Sequence, residues 1–203
     1  MNVNMRVSPS KRFYEVRVTF HPVAMAREKV DTFKYVQKLN KLLPGNGVIL
    51  VSQGKSGRAN AMTIGWCFLG IIWSRPVCIV AVRKSRFTHG LMEESRDFTV
   101  CLPGKGMAKT LDYLGNNSGR DQDKIAKSKL TQRKGISVQT PYFEECPVHI
   151  ECTTVFKTEM LPGQLDTAIE KEMYKTPDYH TIYFGEVKGV YAADDASGKL
   201  PRG

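Results

Sequence analysis

From residue 47 onward the apolar residues come in short runs separated by turn-forming residues, and the runs are rich in the β-branched, aromatic and sulfur-containing types that pack on a pleated surface. Gly47–Ser52, Asn60–Ile72, Val77–Val82 and Phe98–Leu102 predict four strands. His149–Leu161 and Thr181–Ala192 predict two more, the last alternating Ile182, Phe184, Val187 and Val190 imperfectly around Gly185. Gly54-Lys55-Ser56-Gly57 reads as a hairpin loop, because glycine takes the positive φ of tight turns, and so predicts antiparallel pairing of the first two strands. Between strands the period changes. Phe87, Leu91 and Met92 stand at near-helical spacing and predict a helix over Phe87–Glu94. Met107, Leu111 and Leu114 at i, i+4 and i+7 predict another, ended by Gly115-Asn116-Asn117. An insert of mixed charge, Pro162–Tyr179, contains a helical stretch over Asp166–Met173. Near the N-terminus, Val30–Leu43 reads as an amphipathic helix with Phe33, Val36, Leu39 and Leu43 as its stripe, capping its own barrel. Six short strands with interleaved helices predict a mainly β fold, a small antiparallel barrel with helices outside, since closure removes exposed sheet edges.

The length of 203 residues fits one domain, with residues 1–46 as an N-terminal extension carrying its helix and residues 47–195 as the barrel. The longest apolar-looking run, Ile64–Trp73, is well short of the roughly 18 residues that span a bilayer, so no membrane partner is expected. Arg6, Lys11 and Arg12 are not followed by an apolar stretch, nothing reads as a secretory signal, and a cytoplasmic location is the expectation. The five cysteines are an odd number, three of them inside apolar strand-like runs, and read as reduced thiols. Charge adds a direction. The net charge of +10 is concentrated where residues 47–135 hold 15 Lys and Arg against 6 Asp and Glu, whereas residues 136–203 hold 6 against 11. Such a surface attracts phosphate, although a merely soluble basic chain has the same balance.

Three segments within that basic half carry candidate chemistry: Asn60-Ala61-Met62-Thr63 with Trp66, Arg83-Lys84-Ser85-Arg86-Phe87-Thr88, and Ser118-Gly119-Arg120-Asp121-Gln122-Asp123-Lys124. The second follows a strand and opens a helix, where free N–H groups and the helix dipole catch anions, and Arg83, Lys84, Ser85 and Thr88 add two cations and two hydroxyls. The third has neither helical nor strand period and reads as a loop that a ligand orders, with an Arg120–Asp123 pair as the structural alternative. In this order and spacing the segments resemble the flavin reductase-like family, which includes flavoredoxins, over roughly residues 45–195. The resemblance implies a six-stranded antiparallel split β-barrel of Greek-key type with flanking helices, binding FMN and working as a homodimer. It also implies that Asn60, Met62, Thr63 and the backbone of Ala61 flank the flavin ring, that Trp66 sits near it, that Arg83, Lys84, Ser85 and Thr88 hold the phosphate, and that Ser118 and Lys124 reach the cofactor from the loop. His180, opening Thr181-Ile182-Tyr183-Phe184-Gly185-Glu186-Val187, resembles the family's His-x-x-x-x-Gly-Glu-Val strand and is directed to flavin or substrate; the 162–179 insert before it departs from the pattern.

The activity this implies is an oxidoreductase moving hydride or electrons from NAD(P)H, or from a redox protein partner, through flavin. A flavoredoxin-like carrier that makes no direct use of NAD(P)H is the alternative within the class. So is an FMN-binding module without reductase activity. A basic non-enzymatic β-barrel that binds nucleic acid needs aromatics interleaved with Lys and Arg, whereas Trp66, Phe68, Trp73 and Phe98 have apolar neighbours, so no nucleic-acid partner is expected. No Gly-x-Gly-x-x-Gly anchors a dinucleotide, so nicotinamide must stack on the ring. Cys146, His149 and Cys152 imitate metal ligands, but on one strand His149 faces away from the other two. Gly104–Thr110 lacks the glycine before the lysine of a phosphate loop.

Overall fold

A computed structural model describes residues 26–201. The basic N-terminal residues Arg6, Lys11 and Arg12 lie outside this range. In chain order the elements are β1 (Arg27–Val30), α1 (Val36–Leu42), β2 (Val48–Gln53), β3 (Ala59–Ile64), β4 (Cys67–Ile72), β5 (Arg75–Arg83), α2 (Phe87–Glu94), β6 (Asp97–Leu102), α3 (Ala108–Asn116), α4 (Lys124–Ser128), β7 (Gln132–Arg133), β8 (Tyr142–Phe143), β9 (Val148–Glu159), α5 (Thr167–Met173), β10 (His180–Ala193) and α6 (Ala196–Lys199). The main sheet is antiparallel throughout, ordered β3-β2-β6-β9-β10-β5-β4, with β1 also pairing β10. Its two ends, β3 and β4, are consecutive in the chain and separated only by Gly65 and Trp66, so the sheet curls until its edges meet at that corner. The result is a split barrel, held together at the seam by covalent chain rather than by a ladder.

Eight strands stand in this sheet against six expected, for two reasons. The run Asn60–Ile72 is two strands, broken where the chain leaves one edge of the barrel for the other. The segment read as the start of an amphipathic helix, from Val30, contains the end of β1, which registers Arg27 with Ala193 and Val30 with Val190; the helix itself runs only from Val36, with Leu39 as its buried residue. Several other expectations fit closely. The Gly54–Gly57 loop joins β2 and β3 with Ser52 opposite Asn60, α2 has the expected bounds, and α3 buries Leu111 and Leu114.

The imperfect alternation of β10 has a local cause. Register shifts occur between Phe184 and Gly185 and again between Val187 and Gly189, so the strand changes which residues face inward. Gly185 lies beneath Phe98: a Cβ there would stand 2.4 Å from its Cζ and 2.8 Å from the Cβ of Cys152. Two apolar clusters fill the molecule. One lies inside the barrel around Leu50, Val80, Phe98, Val100, Ile150 and Tyr183. The other lies between the outer face of β2–β3–β6 and α3, around Ile49, Val51, Leu111, Leu114 and Phe143. This second cluster positions the site, because it fixes α3 and the loop after it against β3; Thr63 Oγ1 reinforces the contact by donating to the Leu111 carbonyl at 2.6 Å.

Cys146 precedes β9 rather than standing on it. His149 is fully buried, stacked on Tyr142 at 3.9 Å between centroids, with Nε2 3.2 Å from Glu151. Among the described residues no cluster of His, Cys, Asp and Glu is placed to hold a metal. No helix in the described range is long and apolar enough to cross a membrane.

Candidate functional site

The three segments singled out in the sequence converge on one polar cavity of about 150 Å³. Its lining comes from β3 (Asn60, Met62), the β5–α2 junction (Ser85, Arg86, Phe87, Thr88) and the stretch after α3 (Asn117, Ser118, Gly119, Arg120, Lys124), closed by Leu114. Asn60 is the hinge of this arrangement. Buried on β3, it donates from Nδ2 to the Thr88 hydroxyl at 2.8 Å. Its Oδ1 also lies against Gly119, so closely that a Cβ there would meet the oxygen at 2.3 Å. The loop therefore approaches β3 only because residue 119 has no side chain.

Phe87 is the second organising residue. Arg58 lies over its ring at 4.8 Å and Arg120 at 5.8 Å, and the two guanidinium groups donate to backbone carbonyls on either side, Arg58 to Gly119 at 2.5 Å and Arg120 to Ser85 at 2.6 Å. Loop, helix and strand are tied together across the cavity wall. Arg120 is thus committed to Ser85, and Asp123 caps α4 by accepting from the Ala126 N–H at 3.0 Å; the pairing of these two within the loop does not occur.

The reading of 118–124 as irregular loop holds as far as Asp123 and fails at Lys124, the first residue of α4. Lys124 is 4% exposed and donates to the Leu114 carbonyl at 2.8 Å. Burial, with Arg86 adding repulsion, lowers its pKa to about 8. This is a partly desolvated cation held by the C-terminal half of α3, with donor capacity left over. Arg86, Arg120 and Lys124 line the cavity, and no carboxylate does. α2 enters it with its N-terminal residues, which adds the positive end of a helix dipole.

Of the four residues expected at the phosphate, Ser85 and Thr88 line this cavity, while Arg83 and Lys84 do not. Lys84 is solvated and pairs with Glu159 at 2.7 Å. Arg83 turns to the insert, donating to the Met173 carbonyl at 2.8 Å with its guanidinium 5.1 Å over Tyr174. Even Ser85 is shared with the insert, its hydroxyl donating to Asp178 at 2.5 Å. Arg86, in the same Arg83–Thr88 stretch, lines this cavity and the hollow beside it although its residue type alone does not single it out. Its signal in the sequence is its position immediately before Phe87, where it is the N-cap of α2.

A second hollow of about 200 Å³ continues from the first, sharing Met62 and Arg86 with it, and is lined further by Thr63, Ile64, Gly65, Trp66, Ala81, Arg83, Met173 and His180. Trp66 and His180 pack here at 4.3 Å between centroids. Burial, then repulsion from Arg83, lowers the His180 pKa to about 4, so the imidazole is neutral at physiological pH. Beyond Trp66 lies an open apolar depression of about 570 Å³ lined by Leu43, Pro44, Cys67, Phe68, Ile79 and Ile182. A polar end, an amphipathic middle and an apolar far side therefore follow one another along β3 and the Gly65–Trp66 corner.

This sequence of environments, on a split barrel, defines a recognised class. Residues 43–201 match the model of the flavin reductase like domain, and the chain belongs to that family. Among its relatives are a protein of Archaeoglobus fulgidus, 28% identical over 170 residues that cover 84% of this chain and 81% of that one, and YddH of Escherichia coli, 29% identical over 160 residues covering 77% and 75%. Similar solved structures include the flavoredoxin of Desulfovibrio vulgaris, at 25% identity and a TM-score of 0.60 over 76% of this chain and 74% of that one. The flavoredoxin of Methanosarcina acetivorans is similar at 26% identity and a TM-score of 0.59, with the same coverage.

Proposed function

We propose that this chain is an FMN-dependent oxidoreductase that receives electrons from NAD(P)H or a redox protein and passes them on through the flavin. The observation that carries the reading is the convergence of the three segments on one carboxylate-free cavity bearing Arg86, Arg120, Lys124, three hydroxyls and a helix N-terminus. That donor set has the chemistry of a phosphomonoester site. It opens into a hollow whose Trp66, Met62 and Thr63 suit a flat, amphipathic ring.

Ser85, Arg86, Thr88, Ser118, Arg120 and Lys124 would hold the phosphate. Asn60, the backbone of Ala61, Met62 and Thr63 would run along the ring, with Trp66 and His180 beyond it. Bound FMN supplies the hydride and electron chemistry itself, so the side chains need only bind, orient and exclude water. Arg86, the one cation lining both hollows, favours a ligand that gains negative charge on reduction. Arg83, anchored to Met173 but lining the ring-side hollow, adds to that field.

The visible spectrum of the purified protein tests the reading. Flavin bands that bleach on adding NADH or NADPH support it. Bands that bleach only with a reduced protein donor identify the flavoredoxin-like alternative, and a chain that takes up no flavin after incubation with excess FMN is evidence against both. FMN should also bind at least about 100-fold more tightly than riboflavin, since two or more hydrogen bonds to a charged group are worth about 1.5–3 kcal/mol each. Equal affinity would remove the phosphate role from the cavity.

A further inference from the structure

The insert of residues 162–179 touches the candidate site at one end only. α5 buries none of its residues, and what fixes the insert lies at its last residue and beyond it: the Met173 carbonyl on Arg83, Asp178 on Ser85, and Tyr174, which is 8% exposed. The Tyr174 ring stacks on Tyr179 at 4.6 Å and lies beneath the Arg83 guanidinium. Its hydroxyl stands 2.7 Å from His180 Nδ1 and 3.0 Å from the Met160 sulfur.

A phenol has one proton to give. A thioether is a weak acceptor and an imidazole nitrogen a strong one, so the proton goes to Nδ1 and the ring's own hydrogen resides on Nε2. Burial raises the Tyr174 pKa, which keeps the phenol protonated, and the lowered pKa of His180 keeps the ring neutral. The charged groups acting on that ring are Arg83 and Arg86, which oppose protonation, and Asp178, which favours it. No hydrogen bond within the protein occupies Nε2 among the described residues, and the ring lines the hollow beside Trp66.

We propose that Tyr174 is a positioning residue that holds His180 as the neutral Nε2–H tautomer, giving the ring-side hollow one uncharged donor suited to a conjugated carbonyl oxygen. The carbonyl belongs to the flavin's pyrimidine edge or to the carboxamide of a nicotinamide stacked on it, and in this the inference rests on the function proposed above. A proton on Nδ1 would instead leave Nε2 bare and suit a ligand N–H.

Histidine-ring ¹⁵N–¹H correlation spectra of the full chain without flavin read the tautomer directly. The wild type should show His180 with bare Nδ1 and protonated Nε2, and Tyr174→Phe, which keeps the stacking and the Arg83 contact, should show a mixture. In the same variant either FMN affinity falls about three- to ten-fold, assigning the carbonyl to flavin, or FMN affinity holds and the KM for NADH or NADPH rises by that factor, assigning it to nicotinamide; that range is the loss of one neutral hydrogen bond. Combining Tyr174→Phe with His180→Ala should cost no more than His180→Ala alone. A proton found on Nδ1 in the wild type overturns the proposal. So does a Tyr174→Phe variant in which the tautomer, or both the FMN affinity and the KM, stay unchanged. A chain that shows the Nε2–H tautomer yet binds no FMN would instead remove the functional reading and leave the Tyr174 assignment standing.

Discussion

Lys124 shows how far a single residue's role depends on its surroundings. The sequence places a lysine in a polar stretch, and only its place at the end of the Ser118–Lys124 motif sets it apart from Lys127 or Lys129. The fold buries it at the start of α4 and gives it the Leu114 carbonyl, and a desolvated cation of this kind is receptive to an anion. Its pKa of about 8 has consequences of opposite sign for folding and for binding. In the absence of ligand the unfolded chain binds the proton more tightly, so the Lys124 contribution to stability rises with pH between about 8 and the unfolded value near 10.5. Phosphate binding requires the charged form, so FMN affinity should fall as pH rises through about 8, and in Lys124→Met that step should vanish while affinity at neutral pH drops by about 1.5–3 kcal/mol. Titrations of FMN across this pH range check both; an identical pH dependence in the variant would make Lys124 a structural cation only. His149 carries the acid side. Burial, outweighing its contact with Glu151, lowers its pKa below 6.5, and His180 is lowered too, so stability present above about pH 6.5 is lost as the pH falls and both rings must take up protons on unfolding. Glu151 loses its share lower still: burial raises its pKa, but His149 and the N–H groups of Ile136 and Ser137 outweigh that and leave it below the usual value of 4.5. A urea midpoint that does not drop between about pH 7.5 and about pH 5 would contradict the assignment.

Elements were legible wherever periodicity was unbroken and local. α2 and the β2–β3 hairpin follow from spacing and turn chemistry alone, and the helical stretch of the insert forms as α5 with Asp166 as its cap. The failures share a cause: the pairing partner was distant in sequence. β1 is a strand because Val190–Ala193 offers it an edge, and four residues carry no signal of that by themselves. The break at Gly65–Trp66 exists because the barrel must turn there. β10 is the clearest test at this scale. Gly185→Ala forces a Cβ into Phe98 and Cys152 and should lower stability by about 1–3 kcal/mol, the usual cost of overpacking. Gly70→Ala on β4 meets nothing within 4 Å and should be neutral or slightly stabilising. Urea unfolding of the two compares them; similar midpoints would show that the Phe98 contact relaxes freely.

At the scale of the whole molecule an exposed aromatic patch lies on one face of the β4–β5–β10–β9 sheet. Phe68 is 67% exposed, Trp73 56% and Phe156 47%; the register sets Phe68 in one cross-strand row with Ile79, Phe184 and Phe156, and Trp73 and Phe156 pack together with Phe184. Trp73 and Ser74 both take positive φ at the turn between β4 and β5, an uncommon state for residues with side chains, which holds the indole against that patch. A patch of this kind beside the apolar depression next to Trp66 fits the proposal of a homodimer that covers both. Sedimentation should give a dimer at micromolar concentration, and Phe68→Asp, in the patch and in the depression, should give a folded monomer with weakened FMN binding; a wild-type monomer that binds FMN would refute the proposal. The sequence by itself determined the class of the fold and the three segments of the site, because alternation, turn residues and short motifs are properties of neighbouring positions. Only the tertiary structure decided which cations face the cavity, Arg86 and Arg120 rather than Arg83 and Lys84, and that His180 is reached through the insert. Those outcomes turn on which carbonyl or carboxylate, up to 90 residues away, captures each side chain first.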